Sequence, residues 1–395
     1  MIRNLRTIAA GVLSLTALVA LSAAGLAQTR PATGSDRLVY FGTYTGEKSR
    51  GIYVSHLDVA TGALSPPQLA AELRNPSYLA VRPGGAFLYA VSEVNEAEGK
   101  PGGLVTAFAV DQASGMLKAL NKQSSGGAGP AHITVDKTGT HALVANYGGG
   151  SVEVLPIAAN GTLEAPSAVV QHTGSSVNPA RQKEPHPHSA NIGPDNRLVY
   201  VPDLGTDKVM IYRLGAADGS LKPNDPAFAA TDPGAGPRHL AFHPGGHFAY
   251  VINEMLCTIT AYTVDPAGGA LKPMQTISSL PPGEKVAQSF SGADVQVHPS
   301  GKFLFASNRG HDSIAVFGID EKTGRLTYVE NEPTGGKTPR GFGIDPTGTF
   351  LLAANQGSDS VVVLRIDQAT GALTPAGHTI TIGAPVCVKF VPPTR

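Results

Sequence analysis

Tryptophan is absent from this 395-residue chain, which excludes the propeller class whose blades repeat a Trp-Asp pair. Charge is scarce as well: Asp, Glu, Lys and Arg make up 15% of the residues, balance to zero formal net charge and form no basic run. A nucleic-acid binder needs a concentrated positive surface, so nucleic acid is not an expected partner. Cysteine is limited to Cys257 and Cys387, without the spacing of a zinc site. The repeat described below puts them on blades that are not neighbours, so two separate buried thiols are expected rather than a disulfide.

Glycine and proline, at 47 and 31 residues, are plentiful, as suits many short strands joined by tight turns. One phrase recurs: a Gly, a variable residue, then Leu. It stands at Gly62-Ala63-Leu64, Gly115-Met116-Leu117, Gly161-Thr162-Leu163, Gly219-Ser220-Leu221, Gly269-Ala270-Leu271, Gly324-Arg325-Leu326 and Gly371-Ala372-Leu373. The spacing of roughly 46 to 58 residues is that of a propeller blade. Within each unit a corner such as Pro83-Gly84-Gly85, Pro244-Gly245-Gly246 or Pro299-Ser300-Gly301 joins two strands. A third strand follows (259–264, 314–319, 361–366), then the Gly-x-Leu turn and a fourth strand. The chain ends complement each other: Leu38-Val39-Tyr40-Phe41 reads as a second strand without a first, and Pro385 to Phe390 as a first strand without a second. The expected fold is all-β, a seven-bladed β-propeller of four-stranded blades whose C-terminal strand completes the first blade and closes the ring.

Arg3 and Arg6 precede an uncharged apolar stretch, Ile8 to Leu21, and the small residues around Gly25-Leu26-Ala27 follow. This is the pattern of a secretory signal peptide, and the stretch is short for a span of about 20 residues. The expected organisation is a signal peptide over 1–27, a linker over 28–36 and the propeller over 37–393. The product would be exported, periplasmic or secreted, and free of the membrane after cleavage.

Aligned with one another, the repeats disagree at two columns. The residue opening the first strand is Val386, Ser77, Ala131, His188, Arg238, Ala293 and Arg340 around the ring. The residue ending the second strand is Tyr44, Glu93, Tyr147, Leu204, Glu254, Arg309 and Gln356. Antiparallel pairing puts both columns on one rim of the central channel. His188, Arg238, Glu254, Arg309 and Arg340 therefore crowd one side of that rim, and His186, two residues before His188 on the same strand face, is expected to contact the substrate. Singly, each is best explained as a surface ion pair or a satisfied histidine. Their convergence on a concave rim points to a site, and three Arg beside one Glu suit an anionic small molecule. A metal site built from His186, His188 and Asp203 or Glu254 is disfavoured by the three guanidiniums, so no metal and no cofactor is expected. His243 and His298, with Asp345 in the same place, precede turns and read as structural.

Four segments carry a resemblance: Gly236 to Pro244, Tyr250 to Glu254, Ser307-Asn308-Arg309 and Pro339 to Phe342. With these in order, residues 37–392 resemble the lactonase family of seven-bladed propellers. That family includes the bacterial 6-phosphogluconolactonase of the cycloisomerase type and the fungal carboxy-muconate lactonizing enzyme. The resemblance implies His188, Arg238, Glu254 and Arg309 as catalytic residues and Arg340 as a substrate contact. The implied activity is hydrolysis of a small anionic lactone, or its reverse closure. Arg would stabilise the oxyanion, Glu254 would act as base and His188 as acid, two roles open to exchange. No nucleophile elbow is visible. The alternatives are a muconate cycloisomerase-type activity and an exported non-catalytic propeller that binds a ligand or protein.

Overall fold

The computed structural model describes residues 36–392. The expected signal peptide and nearly all of the linker lie outside the described residues. Seven four-stranded antiparallel sheets form, with one additional two-stranded ribbon. The first blade runs, from the channel outward, Pro385–Phe390, Asp36–Thr43, Gly51–Asp58 and Gln68–Glu72. Its register pairs Val39 with Phe390 and Phe41 with Val388, so the two chain ends close the ring as expected. The inner strands of blades 2 to 7 are Leu79–Val81, Pro130–Val135, Asn191–Ile192, Pro237–Phe242, Ser291–Val297 and Pro339–Ile344. Apolar side chains from facing blades pack into clusters, for instance Tyr250, Ile252, Leu304 and Phe317.

The recurring glycine is where one blade locks onto the next. All seven adopt positive φ, between 63° and 86°, a region that L side chains avoid. A Cβ on Gly161 would lie 2.2 Å from Phe87, and one on Gly324 would lie 2.4 Å from Phe248. Their carbonyls are used as well. The Tyr40, Tyr89, Tyr200 and Tyr250 hydroxyls donate to the oxygens of Gly115, Gly161, Gly269 and Gly324, at 2.7 to 3.0 Å. Each tyrosine belongs to the blade preceding its glycine. The repeat thus encodes a joint between blades.

Histidines 243 and 298 are structural, as expected. Their Nδ1 atoms cap the local turn while Nε2 reaches the carbonyls of Gly301 and Gly348 in the following blade. Cys257 and Cys387 are buried free thiols.

A register shift recurs at the inner strands. In blades 1, 3, 5 and 7 the pairing skips Val386, Ala131, Arg238 and Arg340 respectively, and in blade 6 it skips Ala293 and Asp294. Each shift is a β-bulge, with one more residue on the inner strand than on its partner, which releases the local side chain from the alternation of the pleat. In blade 4 the departure is larger: Pro187 makes an isolated bridge to Asp203, and the strand resumes only at Asn191. His188 therefore precedes this strand rather than opening it, although its amide still donates to the Pro202 carbonyl.

Candidate active site

The bulged column and the ends of the second strands surround a cavity of about 660 Å³. His188, Glu254, Arg309 and Arg340 line it together with Tyr147 and Glu93. Glu93 belongs to the second blade, outside the expected cluster, yet shares the cavity. Its Oε2 accepts the Tyr44 hydroxyl at 2.8 Å. Arg238 lies just below, 2% exposed, in a constriction shared with Arg340, Tyr78, His239 and Asp294. A second cavity of about 580 Å³ opens below that constriction and contains none of the expected site residues.

Glu254 is the hub. Its Oε2 accepts from Arg238 Nε at 3.1 Å and Arg309 Nη2 at 2.9 Å, while Oε1 accepts from Arg181 Nη2 at 2.7 Å. Burial alone would raise its pKa, but the Arg309, Arg238 and Arg181 guanidiniums outweigh it and hold the carboxyl at about 2. Charge-assisted bonds of this kind favour the ionised form strongly. Two of the arginines are depressed in turn, Arg309 chiefly by burial. Burial, then the Arg340 and Arg309 charges, lowers Arg238 to about 9, which leaves it cationic at neutral pH.

His188 stands 4.0 Å from Glu254 Oε2 through Nε2. Its Nδ1 is buried without a hydrogen-bond partner. Burial, reinforced by Arg238, His239 and Arg340, pushes the imidazole well below its usual range, so it rests neutral. Arg340 makes no ion pair among the described residues and lies 5.5 Å from the Tyr44 ring centroid. Burial opposes its charge, but Tyr44, Glu93 and Glu254 outweigh this and hold its pKa above the ordinary value.

His186, expected as a substrate contact, does not reach the cavity. Its ring stacks on Tyr147 at 4.5 Å between centroids, and Nδ1 donates to the Tyr147 carbonyl at 2.9 Å. It buttresses a residue that does line the site. Asp203, weighed above as a metal ligand, is spent on structure: Oδ2 meets His172 Nδ1 at 2.7 Å and Oδ1 accepts the His186 amide at 2.8 Å. Among the described residues no three His, Cys, Asp or Glu side chains gather to hold a metal.

The residue that sequence comparison missed is Arg181. It lies in the connection between Ala168–Gln171 and blade 4, outside the repeat alignment. Asn178 makes a turn there, its Oδ1 accepting the Ala180 and Arg181 amides at 3.0 and 3.1 Å. Buried Gln182 anchors the turn on the Leu204 carbonyl. The turn aims Arg181 at Glu254 and at the Tyr147 hydroxyl, 3.1 Å away. A signal was available: the connection into blade 4 is long, as is the one spanning 279–290, and both border the cavity.

The family model for seven-bladed β-propeller lactonases matches residues 38–390. The chain belongs to that lactonase family. The 6-phosphogluconolactonase of Bacillus subtilis is 40% identical over 353 residues, covering 89% of this chain and 97% of that protein. The 6-phosphogluconolactonase of Formosa agariphila is 34% identical over 311 residues, 78% of this chain and 86% of that protein. Among solved structures, the periplasmic gluconolactonase PpgL of Pseudomonas aeruginosa superposes with a TM-score of 0.84 at 34% identity. That match covers 91% of this chain and 99% of PpgL. The chain is accordingly an enzyme, a lactonase-like carboxylic ester hydrolase.

Proposed function

We propose that this enzyme is exported and hydrolyses a small anionic sugar lactone without a metal, by general acid–base catalysis at His188 and electrostatic stabilisation by arginine. The observation that carries the reading is the charge layout. Arg181, Arg309 and Arg340 line the cavity with Arg238 beneath, against the carboxylates Glu254 and Glu93. Glu254 alone is bonded by three of the four guanidiniums, so Arg340 is left for the substrate's own negative group. A cavity so cationic repels a divalent ion and attracts a carboxylate or phosphate. Export is favoured by the signal-like residues 1–27 and by the periplasmic location of PpgL.

Both proton-transfer roles fall to His188, in place of the Glu254 base of the first expectation. A carboxylate held at about 2 with both oxygens occupied is a poor proton acceptor, whereas His188 is neutral and faces the cavity. Water attacks the lactone carbonyl as His188 takes its proton. The tetrahedral oxyanion forms beside Arg309, whose Nη2 is already fixed on Glu254 and on the Gly292 carbonyl. The ring C–O bond then breaks, and the alkoxide takes the proton back from His188. Glu254, 4.0 Å away, is the counter-charge for the transient imidazolium. One oriented donor of this kind contributes about 3–4 kcal/mol. Substrate binding assists, because an anion on Arg340 offsets part of the positive field that keeps His188 a weak base.

The test is a pH-stat comparison of 6-phosphogluconolactone with gluconolactone on the purified enzyme, with and without prolonged EDTA. Turnover of the phosphorylated or another acidic lactone, unchanged by EDTA, is expected. No turnover of any lactone would overturn the reading, and restoration by one divalent ion after chelation would overturn its metal-free chemistry.

A further inference from the structure

The channel does not run open beneath the cavity. Tyr78, His132 and His239 meet there from blades 2, 3 and 5. Ring centroids lie 4.1 Å apart for Tyr78 and His132 and 5.6 Å apart for His132 and His239, and His188 approaches His239 edge-on at 5.4 Å. Within this layer one line of polar contacts crosses from blade 6 to the site. Asp294 Oδ1 meets His239 Nδ1 at 2.8 Å, His239 Nε2 meets Arg238 Nη1 at 3.1 Å, and Arg238 Nε donates to Glu254 Oε2 at 3.1 Å.

The proton positions follow from the partners. Asp294 accepts from every neighbour: the Val295 amide at 2.9 Å on Oδ1, and Gln296 Nε2 at 3.2 Å and the Phe342 amide at 3.4 Å on Oδ2. A carboxylate so engaged requires a proton on His239 Nδ1. That leaves the Nε2 lone pair facing Arg238, which as a guanidinium can only donate. Arg238 Nη1 spends its other hydrogen on the Ala293 carbonyl. The guanidinium is thus gripped at Nε and Nη1 by three acceptors, in a pocket where it is 2% exposed.

We propose that His239, oriented by Asp294, is a positioning residue for catalysis: it holds the Arg238 guanidinium against Glu254, and through Glu254 sets the carboxylate that balances His188 during turnover. The inference rests on the lactone-hydrolysis reading for its kinetic part only. It explains why two ionisable groups that do not line the cavity are buried below it: without the Nε2 acceptor, Arg238 would keep its charge but lose its fixed plane. The groups facing His239 are Arg238, Asp294, Tyr78, His132 and His188, with Lys389 beyond Tyr78 at 3.4 Å from its hydroxyl. Burial and then the Arg238 charge hold the His239 pKa down to about 4, against the pull of Asp294. Its acceptor face therefore survives through the working pH range.

Two variants and one spectrum test this. His239→Phe keeps an aromatic ring without an acceptor; His239→Gln restores an oxygen that can face Arg238. In His239→Phe, kcat for the active lactone should fall by about tenfold or more while KM stays within about twofold, since the cavity-lining Arg309 and Arg340 are untouched. His239→Gln should recover most of the loss. A His239→Phe enzyme with wild-type kcat, or a Gln variant no better than Phe, overturns the positioning role. Independently, 15N NMR of the wild-type protein should show His239 as the Nδ1–H tautomer, untitrated down to about pH 5. An Nε2–H tautomer, or titration near 6.5, overturns the proposal even if the Phe variant does not fold. If no lactone is turned over, the functional reading fails while the tautomer still decides the network.

Discussion

Replacing Glu254 with Gln removes one charge and little else, and the consequences separate cleanly. Three guanidiniums converge on this carboxylate at 2.7 to 3.1 Å, one of them on the 2%-exposed Arg238. The amide can keep one oxygen for Arg238 and Arg309, but its NH2 must then face Arg181, donor against donor. Stripping the partner from a buried cation costs about 3–5 kcal/mol, so a lower denaturation midpoint is expected and must be measured by urea titration. At temperatures where the variant is fully folded, kcat should fall by about 100-fold or more, because general base catalysis at His188 loses the counter-charge for its imidazolium. KM for an anionic lactone should hold or drop, because the cavity has become more positive. That opposition is the signature of a charge that balances a transient imidazolium. A folded variant with unchanged kcat and a raised KM would refute the mechanism and make Glu254 a substrate-binding group.

The pH profile of kcat/KM should stay flat down through 6.5 and fall only well below it. The base must be unprotonated, and burial with Arg238, His239 and Arg340 depresses His188 in the free enzyme; an acid limb at or above 6.5 would remove His188 from that role. Arg340→Ala should erase most of an expected 10- to 100-fold preference for an acidic lactone over its neutral analogue, a charge-assisted contact being worth about 1.5–3 kcal/mol; equal loss on both substrates would show that Arg340 acts on the lactone itself. Arg181→Ala should spare the fold, because its side chain is 44% exposed, and lower kcat less than Glu254→Gln does; wild-type kinetics would leave it a surface pair. Glu153, fully buried with both oxygens unpartnered, is pushed up by burial to about 8, so the stability linked to its neutral form is full below about 4.5 and lost as pH rises to about 8. The difference of about 3.5 units sets an upper limit of about 4–5 kcal/mol, so Glu153→Gln should flatten the decline of urea midpoints between pH 5 and 8.5; parallel curves would count against a buried, neutral carboxyl.

The architecture was legible because it is periodic. A glycine that must adopt positive φ and lie against the preceding blade leaves a mark every blade, and Gly62 through Gly371 carry it without exception. The closing strand was legible for the same reason: with the period known, Leu38 and Pro385 expose two halves of one blade. Strand interruption in blade 4 was not legible. Ser189 and Ala190 offer no breaker, and the departure comes from tertiary bonds, chiefly Asp203 drawing the His186 amide and Ser189 donating to the Arg238 carbonyl.

The site divides along the same line. His188, Arg238 and Arg340 were visible because a repeat offers its own control: where four blades keep a small or apolar residue, an ionisable one in the same place needs a reason; Glu254 and Arg309 were visible because their column shares the same rim. The bulge that carries Arg238 and Arg340 out of the pairing at the opening of their inner strands was invisible, since a bulge adds a residue without changing residue type. Arg181 and the contribution of Glu93 were missed for opposite causes. Arg181 lies between repeats, where no column exists to compare. Glu93 lies in a column, but its distance around the ring conceals how close it lies across the channel. A cavity at a propeller axis brings blades 2 and 6 as close as neighbours, and Glu93 and Arg309 accordingly line one space. Any charged residue in those two columns therefore bears on the site, whichever blade carries it, and the unequal connections, 172–186 and 279–290, mark where such a propeller adds what its repeat cannot supply.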